Sequence, residues 1–234
     1  MDIEDQRKFW NDWNAQHRAI QIGEVSRRQA EVVTGWLHRL GRHGLDIIEV
    51  GCGAAWFTPA LTSFGSVTAT DLSDELLARA QIKHPNARFV AGDFMKLDFG
   101  SANFDVAVSL EVLSHVADQP AFIAKIGSIL RPGGHLMLAT QNKPILQRYN
   151  RIPPPERGQL RRWVDKAELG TLLAPHFQVL SIDAVTPLAS HRLLRVLSSQ
   201  KLDRLLSVFA GNGYRNFLER RGLGWTLMAL ARKR

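Results

Sequence analysis

The chain has 234 residues, is 45% hydrophobic and carries a formal net charge of +8. That length and apolar content suit one domain with a full core and exclude a disordered chain. No apolar run approaches the length of a membrane span, and the acidic start Met1-Asp2-Ile3-Glu4-Asp5 does not read as a signal peptide. The single cysteine, Cys52, leaves no internal disulfide framework, so the expected compartment is the cytoplasm.

The charge is unevenly placed. Residues 143–234 hold 17 Lys/Arg against 6 Asp/Glu, whereas residues 1–142 hold 13 against 16. A basic final third can attract nucleic acid, anionic lipid or an acidic small substrate. Its basic residues follow helical patterns without the aromatic interleaving of a single-strand binder, so nucleic acid is not the expected partner.

Residues 5–20 read as a helix rich in aromatics and amides, including Trp10, Trp13, Asn14, Gln16, His17 and Arg18. Its tryptophans are either core packing or a lid on a ligand pocket, and the polar residues beside them suit a lid. A second helix is predicted from about Ser26 to Leu40, with Ala30, Val33, Leu37 and Leu40 on one face. Gly41 and Gly44 end it. The pair is expected to lie over one end of a sheet. Leu45 to Val50 then reads as a buried parallel strand, followed by a glycine turn and a helix from about Ala54 to Phe64. Gly51 and Gly53 permit backbone angles closed to other residues and let a ligand approach the main chain. Glu49 is a carboxylate in an apolar strand and calls for a partner. Cys52 reads as a small buried residue rather than a nucleophile.

Residues 66–71 form a second predicted strand ending in Asp71, twenty residues beyond Gly51. That is the spacing at which nucleotide-binding βαβ units place a carboxylate for ribose hydroxyls. A helix capped by Ser73 or Asp74 follows. A third strand, 87–92, ends before Asp93 and Phe94. A fourth, 104–110, is followed by Glu111, Ser114 and His115. A helix from Gln119 to Leu130 leads into the turn Arg131-Pro132-Gly133-Gly134 and a fifth strand, 135–140. This strand–helix rhythm implies a doubly wound parallel sheet, whose ligands bind beyond the carboxyl ends of the strands. Glu49, Gly51, Asp71, Asp93 and Glu111 all fall at such ends.

From Gln141 to Arg162 the pattern breaks into a proline-rich irregular loop. Arg148, Tyr149 and Trp163 are candidates for a substrate-facing wall there. A helix at 165–173 and a strand at 177–185 follow. Residues 190–221 then read as two amphipathic helices, covering the acceptor pocket or offering a homodimer surface. Residues 224–231 make a last strand. No His or Cys set has metal-ligand spacing, so no metal is expected.

Assembled, these residues resemble the class I S-adenosylmethionine-dependent methyltransferases, in particular the small-molecule branch with the ubiquinone-methyltransferase-like pattern. The resemblance is strong over about residues 36–140 and looser elsewhere. Glu49-Val50-Gly51-Cys52-Gly53 carries it, together with Asp71, Asp93 and Leu130-Arg131-Pro132-Gly133-Gly134. Ala55 departs from the pattern where a third glycine is usual. A dinucleotide reading is opposed by Trp56, which stands where a third glycine would pack helix on strand.

The resemblance implies an α/β fold with a doubly wound, mostly parallel, seven-stranded, Rossmann-like sheet in a single domain. Residues 1–44 would be a helical cap and 45–140 the cofactor core. Residues 141–234 would hold the substrate-side loop, a helical insertion and the final strands. It further implies S-adenosyl-L-methionine as cofactor, leaving as S-adenosyl-L-homocysteine. Glu49 would face the amino-acid moiety, with Gly51, Cys52 and Gly53 lining it. Asp71 would hold the ribose, Asp93 the adenine amine, and Leu72 and Phe94 the two ring faces. Ser109, Leu110 and Glu111 would sit near the methionine end. The chemistry would be SN2 transfer to a small-molecule acceptor. Oxygen is the expected atom, in secondary or quinone-type metabolism, with His115 or His17 as base. His115 is also readable as a pocket-wall or structural residue. The alternatives are small-molecule N- or C-methylation, RNA or protein methylation using the basic third, and a non-catalytic scaffold. Trp10, Trp13, Asn14, Arg18, Arg148, Tyr149 and Trp163 complete the expected substrate side.

Overall fold

The computed structural model describes residues 3–17, 23–190, 195 and 213–234, the side chains of 13–17 excepted. Five strands run parallel: β1 (Leu45–Val50), β2 (Gly65–Asp71), β3 (Ala87–Ala91), β4 (Phe104–Leu110) and β5 (Leu130–Gln141). β6 (Phe177–Val185) takes the edge, and β7 (Thr226–Lys233) lies antiparallel between it and β5. The sheet order is β3-β2-β1-β4-β5-β7-β6, so the direction of strand addition reverses between β1 and β4. The expected doubly wound, mostly parallel, seven-stranded sheet is therefore present.

Alternation along the strands feeds two cores. Ile47, Val106, Val108, Met137, Ala139 and Met228 share one face with Val33, Trp36 and Leu37 of α2 (Glu24–Leu40). Ile48, Ala107, Leu136, Leu138 and Ala229 share the other with Phe122, Ile123 and Ile126 of α5 (Gln119–Ile129), and with Leu169 and Leu173 of α7 (Lys166–Leu173). Strands covered on both faces need continuous apolar runs, which is why β1 and β4 read so clearly.

Several boundaries differ from the sequence reading. Only α1 (Ile3–His17) is free to cap the domain; α2 is a layer of the core, because its apolar stripe meets the sheet face. The helix expected at 54–64 shrinks to α3 (Thr58–Leu61), while α4 (Asp74–Lys83) starts behind Ser73 as its cap. Ala55 is left-handed (φ 58), and Pro59 supplies no N–H for an earlier turn. The Arg131–Gly134 turn is a bulge within a longer β5, where pairing jumps from Phe104↔Leu130 to Val106↔His135. Arg131 there bonds Asp105 and Asp46 at 2.7 and 2.8 Å, locking the amino ends of β1 and β4. The irregular stretch after β5 contains α6 (Lys143–Tyr149), since Pro144 sits at a helix start, where it is tolerated.

Of the expected helical insertion, residues 191–194 and 196–212 lie outside the described residues. α8 (Gly213–Arg220) follows them, and its Glu219 takes bonds of 3.2 and 2.8 Å from Arg28 of α2. Among the described residues no helix is long and apolar enough to cross a membrane.

Candidate active site

β1, the glycine turn and the end of β2 build one corner. Gly51 and Cys52 both donate to the Thr70 carbonyl, at 2.7 and 3.0 Å. Gly51 has φ +77, and a Cβ on it would stand 2.1 Å from Val112 Cγ2. Gly53 has φ +54 with open space around it, so its main chain can be approached closely. A Gly51→Ala variant is accordingly expected to lose about 2 kcal/mol of stability, from left-handed strain and overpacking. Thermal melts with and without S-adenosylhomocysteine check this; an unchanged melting temperature would contradict it.

The turn fixes the carboxylates around it. Gly53 N donates to Asp71 Oδ2 at 2.9 Å, and Ser73 N to Oδ1 at 3.0 Å. Burial pushes the Asp71 carboxyl up, against the opposing pull of the Ser73, Gly53 and Leu72 N–H groups. Each Asp71 oxygen retains a lone pair for a further donor. Glu49 is 3% exposed and accepts from Thr58 Oγ1 at 2.5 Å. Burial raises it to about 8, so a cationic neighbour would drive its ionisation. Thr58 gave no signal in the sequence beyond being a hydroxyl at the start of a short helix.

At the end of β3, Asp93 Oδ1 accepts from Met95 N at 2.9 Å, an Asx turn that leaves its other oxygen to a ligand. The Phe94 ring is 8% exposed and packs between Phe99 and Phe122, with centroids at 5.9 and 5.4 Å. Leu72 follows Asp71 and is half-buried. Cys52 is 2% exposed, and burial pushes its thiol well above the ordinary range, which suits packing and not nucleophilic attack.

At the end of β4, Ser109 is fully buried and its Oγ has no partner in the protein; Leu110, the last residue of the strand, and Glu111 just past it are half-buried. Glu111 Oε1 accepts from Gln29 Nε2 at 2.5 Å and from Thr226 Oγ1 at 3.1 Å. Burial raises Glu111 to about 7. The sequence reading missed Gln29 and Thr226. Gln29 carried a weak signal, as a lone amide within the apolar stripe of α2.

His115 ends a 3-10 turn (Leu113–His115). Its Nδ1 lies 2.7 Å from the Leu160 carbonyl, which can only accept, so Nδ1 bears the proton and Nε2 is the basic nitrogen. Burial first, and then the Arg161 charge, lower its pKa despite the Leu160 bond. The Trp10 ring stands edge-on to His115, with centroids 4.7 Å apart. The loop bearing Leu160 is held down at Gly158, where a Cβ would meet Asp5 O at 2.5 Å, and by Arg162 N donating to Ser114 O at 2.7 Å. The α1 tryptophan and the candidate base thus meet in one wall, although the sequence offered them separately. Trp163 and Tyr149 are half-buried near that wall and α6, whereas Arg148 is exposed at the end of α6. The side chains of Trp13, Asn14 and His17, and all of Arg18, lie outside the described residues.

The corner formed by Gly51, Gly53 and Asp71 fits the aminoacyl and ribose parts of S-adenosylmethionine: close backbone approach, open space and a fixed carboxylate. Residues 48–138 match the family described as Methyltransferase domain. An O-methyltransferase, cnsE, of Penicillium expansum is 32% identical over 163 residues, 63% of this chain and 57% of that protein. A ubiquinone biosynthesis O-methyltransferase of Mesorhizobium japonicum is 31% identical over 107 residues, 44% of this chain and 43% of that protein. The Burkholderia thailandensis 1,6-didemethyltoxoflavin-N1-methyltransferase, solved with S-adenosylhomocysteine, superposes with a TM-score of 0.65. It shares 22% identity and aligns over 99% of this chain and 88% of its own. The family match is to a methyltransferase domain over residues 48–138, and the chain has the fold of solved S-adenosylmethionine-dependent methyltransferases. It spans about half the length of the curated relatives it matches.

Proposed function

We propose that the protein transfers the methyl group of S-adenosylmethionine to a small molecule, on a hydroxyl or carboxyl oxygen, in secondary or quinone-type metabolism. The observation that carries this is Asp71, clamped by the Gly53 and Ser73 N–H groups beside the open approach to the glycine turn. The O-methyltransferases among the relatives support oxygen as the atom; N- or C-methylation is the alternative. On this reading residues 1–234 act as one domain in the cytoplasm.

The cofactor supplies an activated methyl on a sulfonium; the protein must orient, exclude water and take a proton. Asp71 holds the ribose hydroxyls, Asp93 meets the adenine amine, and Glu49 faces the amino-acid end. His115 Nε2 takes the hydroxyl proton, with Nδ1 anchored on Leu160. Trp10 closes the wall against water. Titration calorimetry with S-adenosylhomocysteine tests the first half of this reading. Incubation with methyl-labelled S-adenosylmethionine and a panel of small phenols and carboxylic acids tests the second. Absence of S-adenosylhomocysteine binding would sink the reading. Label transferred only to amines would move it to N-methylation.

A further inference from the structure

Glu111 is held unlike the other carboxylates of the strand ends. Its backbone lies in the left-handed region, φ 63, which is costly for a residue with a side chain and persists only where the surroundings enforce it. The residue after it, Val112, touches Gly51 and so belongs to the cofactor corner. The Glu111 side chain runs the other way. Both of its partners lie across the sheet: Gln29 on α2 and Thr226 at the start of β7, two places beyond β4 in the strand order. The carboxylate therefore reaches over the end of β5, away from the half of the sheet that carries Asp71 and Asp93. In a doubly wound sheet the two halves on either side of the reversal hold different parts of the bound molecules.

Two acceptors on this side of the sheet have no donor in the protein. Glu111 Oε2 is out of water and has no partner in the protein. Gln141, the last residue of β5, stands directly opposite Thr226 in the antiparallel ladder. Opposed residues project to the same face, so the Gln141 side chain leaves the sheet on the side where Thr226 meets Glu111 and Gln29. Its Oε1 is also buried and unpartnered. Buried acceptors are nearly always satisfied, so two left unpartnered on one face, one of them on a strained backbone, point to a ligand that brings donors.

We propose that Glu111 and Gln141 form a subsite for the acceptor molecule, receiving a hydrogen-bond donor, a hydroxyl or an amine, of the compound to be methylated. The proposal rests on the methyltransferase reading and assigns Glu111 to the acceptor, not to the methionine end of the cofactor. The high proton affinity of Glu111 is in keeping with a carboxylate desolvated until a donor arrives.

The test uses the full chain saturated with S-adenosylhomocysteine and follows ligand NMR signals on adding catechol, or its donor-free counterpart 1,2-dimethoxybenzene. Wild type is expected to prefer catechol by about tenfold or more, because a site built around donors rejects the analogue that lacks them. Glu111→Gln keeps the volume and the Gln29 bond but puts an amide N–H where Oε2 was. That variant and Gln141→Leu should each cut the preference to about twofold or less, with S-adenosylhomocysteine affinity unchanged. Equal binding of the two probes by wild type, binding of neither, or a preference that survives the substitutions overturns the subsite. A fall in S-adenosylhomocysteine affinity in Glu111→Gln returns the carboxylate to the cofactor and also overturns it. Failure of wild type to bind S-adenosylhomocysteine at all removes the methyltransferase reading, and the subsite with it.

Discussion

Asp71→Ala is expected to weaken S-adenosylhomocysteine binding at least about a hundredfold, since each hydrogen bond to a charged acceptor contributes roughly 1.5–3 kcal/mol and a ribose offers two. The geometry makes the loss hard to evade. Asp71 does not swing freely; its two oxygens are held by Gly53 N and Ser73 N, one on each side. Removing the carboxylate deprives the ligand of its acceptors and also orphans two N–H groups that shape the turn. Asp71→Asn separates these effects. It keeps one oxygen for one N–H, but sets an amide donor against the other, so it should also bind poorly while folding better than the alanine variant. Calorimetry gives the affinities and thermal melts without ligand give the fold. An Asp71→Ala affinity within about fivefold of wild type would show that the ribose is held elsewhere.

His115→Ala is expected to lower turnover at least about a hundredfold on an acceptor found in the labelling screen, with S-adenosylhomocysteine affinity retained. The Leu160 carbonyl fixes the tautomer with Nε2 unprotonated, and burial lowers the ring's proton affinity. The sign follows. A base with a depressed pKa stays neutral below the ordinary imidazole value, so the acid limb of kcat/KM should lie beneath about pH 6.5 in wild type and vanish in the variant. The same shift ties stability to pH: the contribution is fully present above the unfolded value and is lost as pH falls through the folded one. Near-normal turnover in His115→Ala would reduce the residue to a pocket wall. A lost acid limb with unchanged turnover is excluded by the base assignment, so kcat and the pH profile must move together.

Particular residues show what could be read early. Glu49, Gly51, Asp71 and Asp93 were legible because a strand pattern has a period of two and glycine turns announce themselves, so the carboxyl ends of the strands can be counted off. The direction of the Phe94 ring is not legible in this way: it turns into the Phe99 and Phe122 cluster, a choice made by core volume and not by local pattern. From sequence α2 reads as part of a cap, because an apolar stripe tells a helix to bury one face without naming the surface. Gln29 is illegible for a related reason: one amide in such a stripe has meaning only when Glu111, 82 residues away, stands opposite it.

The sequence by itself determined the parallel strands, the glycine turn that opens a close approach, and the row of carboxylates at the strand ends. These depend on local alternation and backbone angles, which neighbours in the chain decide. Only the tertiary structure decided that β7 enters antiparallel between β5 and β6, bringing Thr226 to Glu111 across 115 residues. It alone brought Trp10 and Leu160 against His115. Those contacts join surfaces distant in sequence, and which buried faces meet is set by the packing of the whole chain.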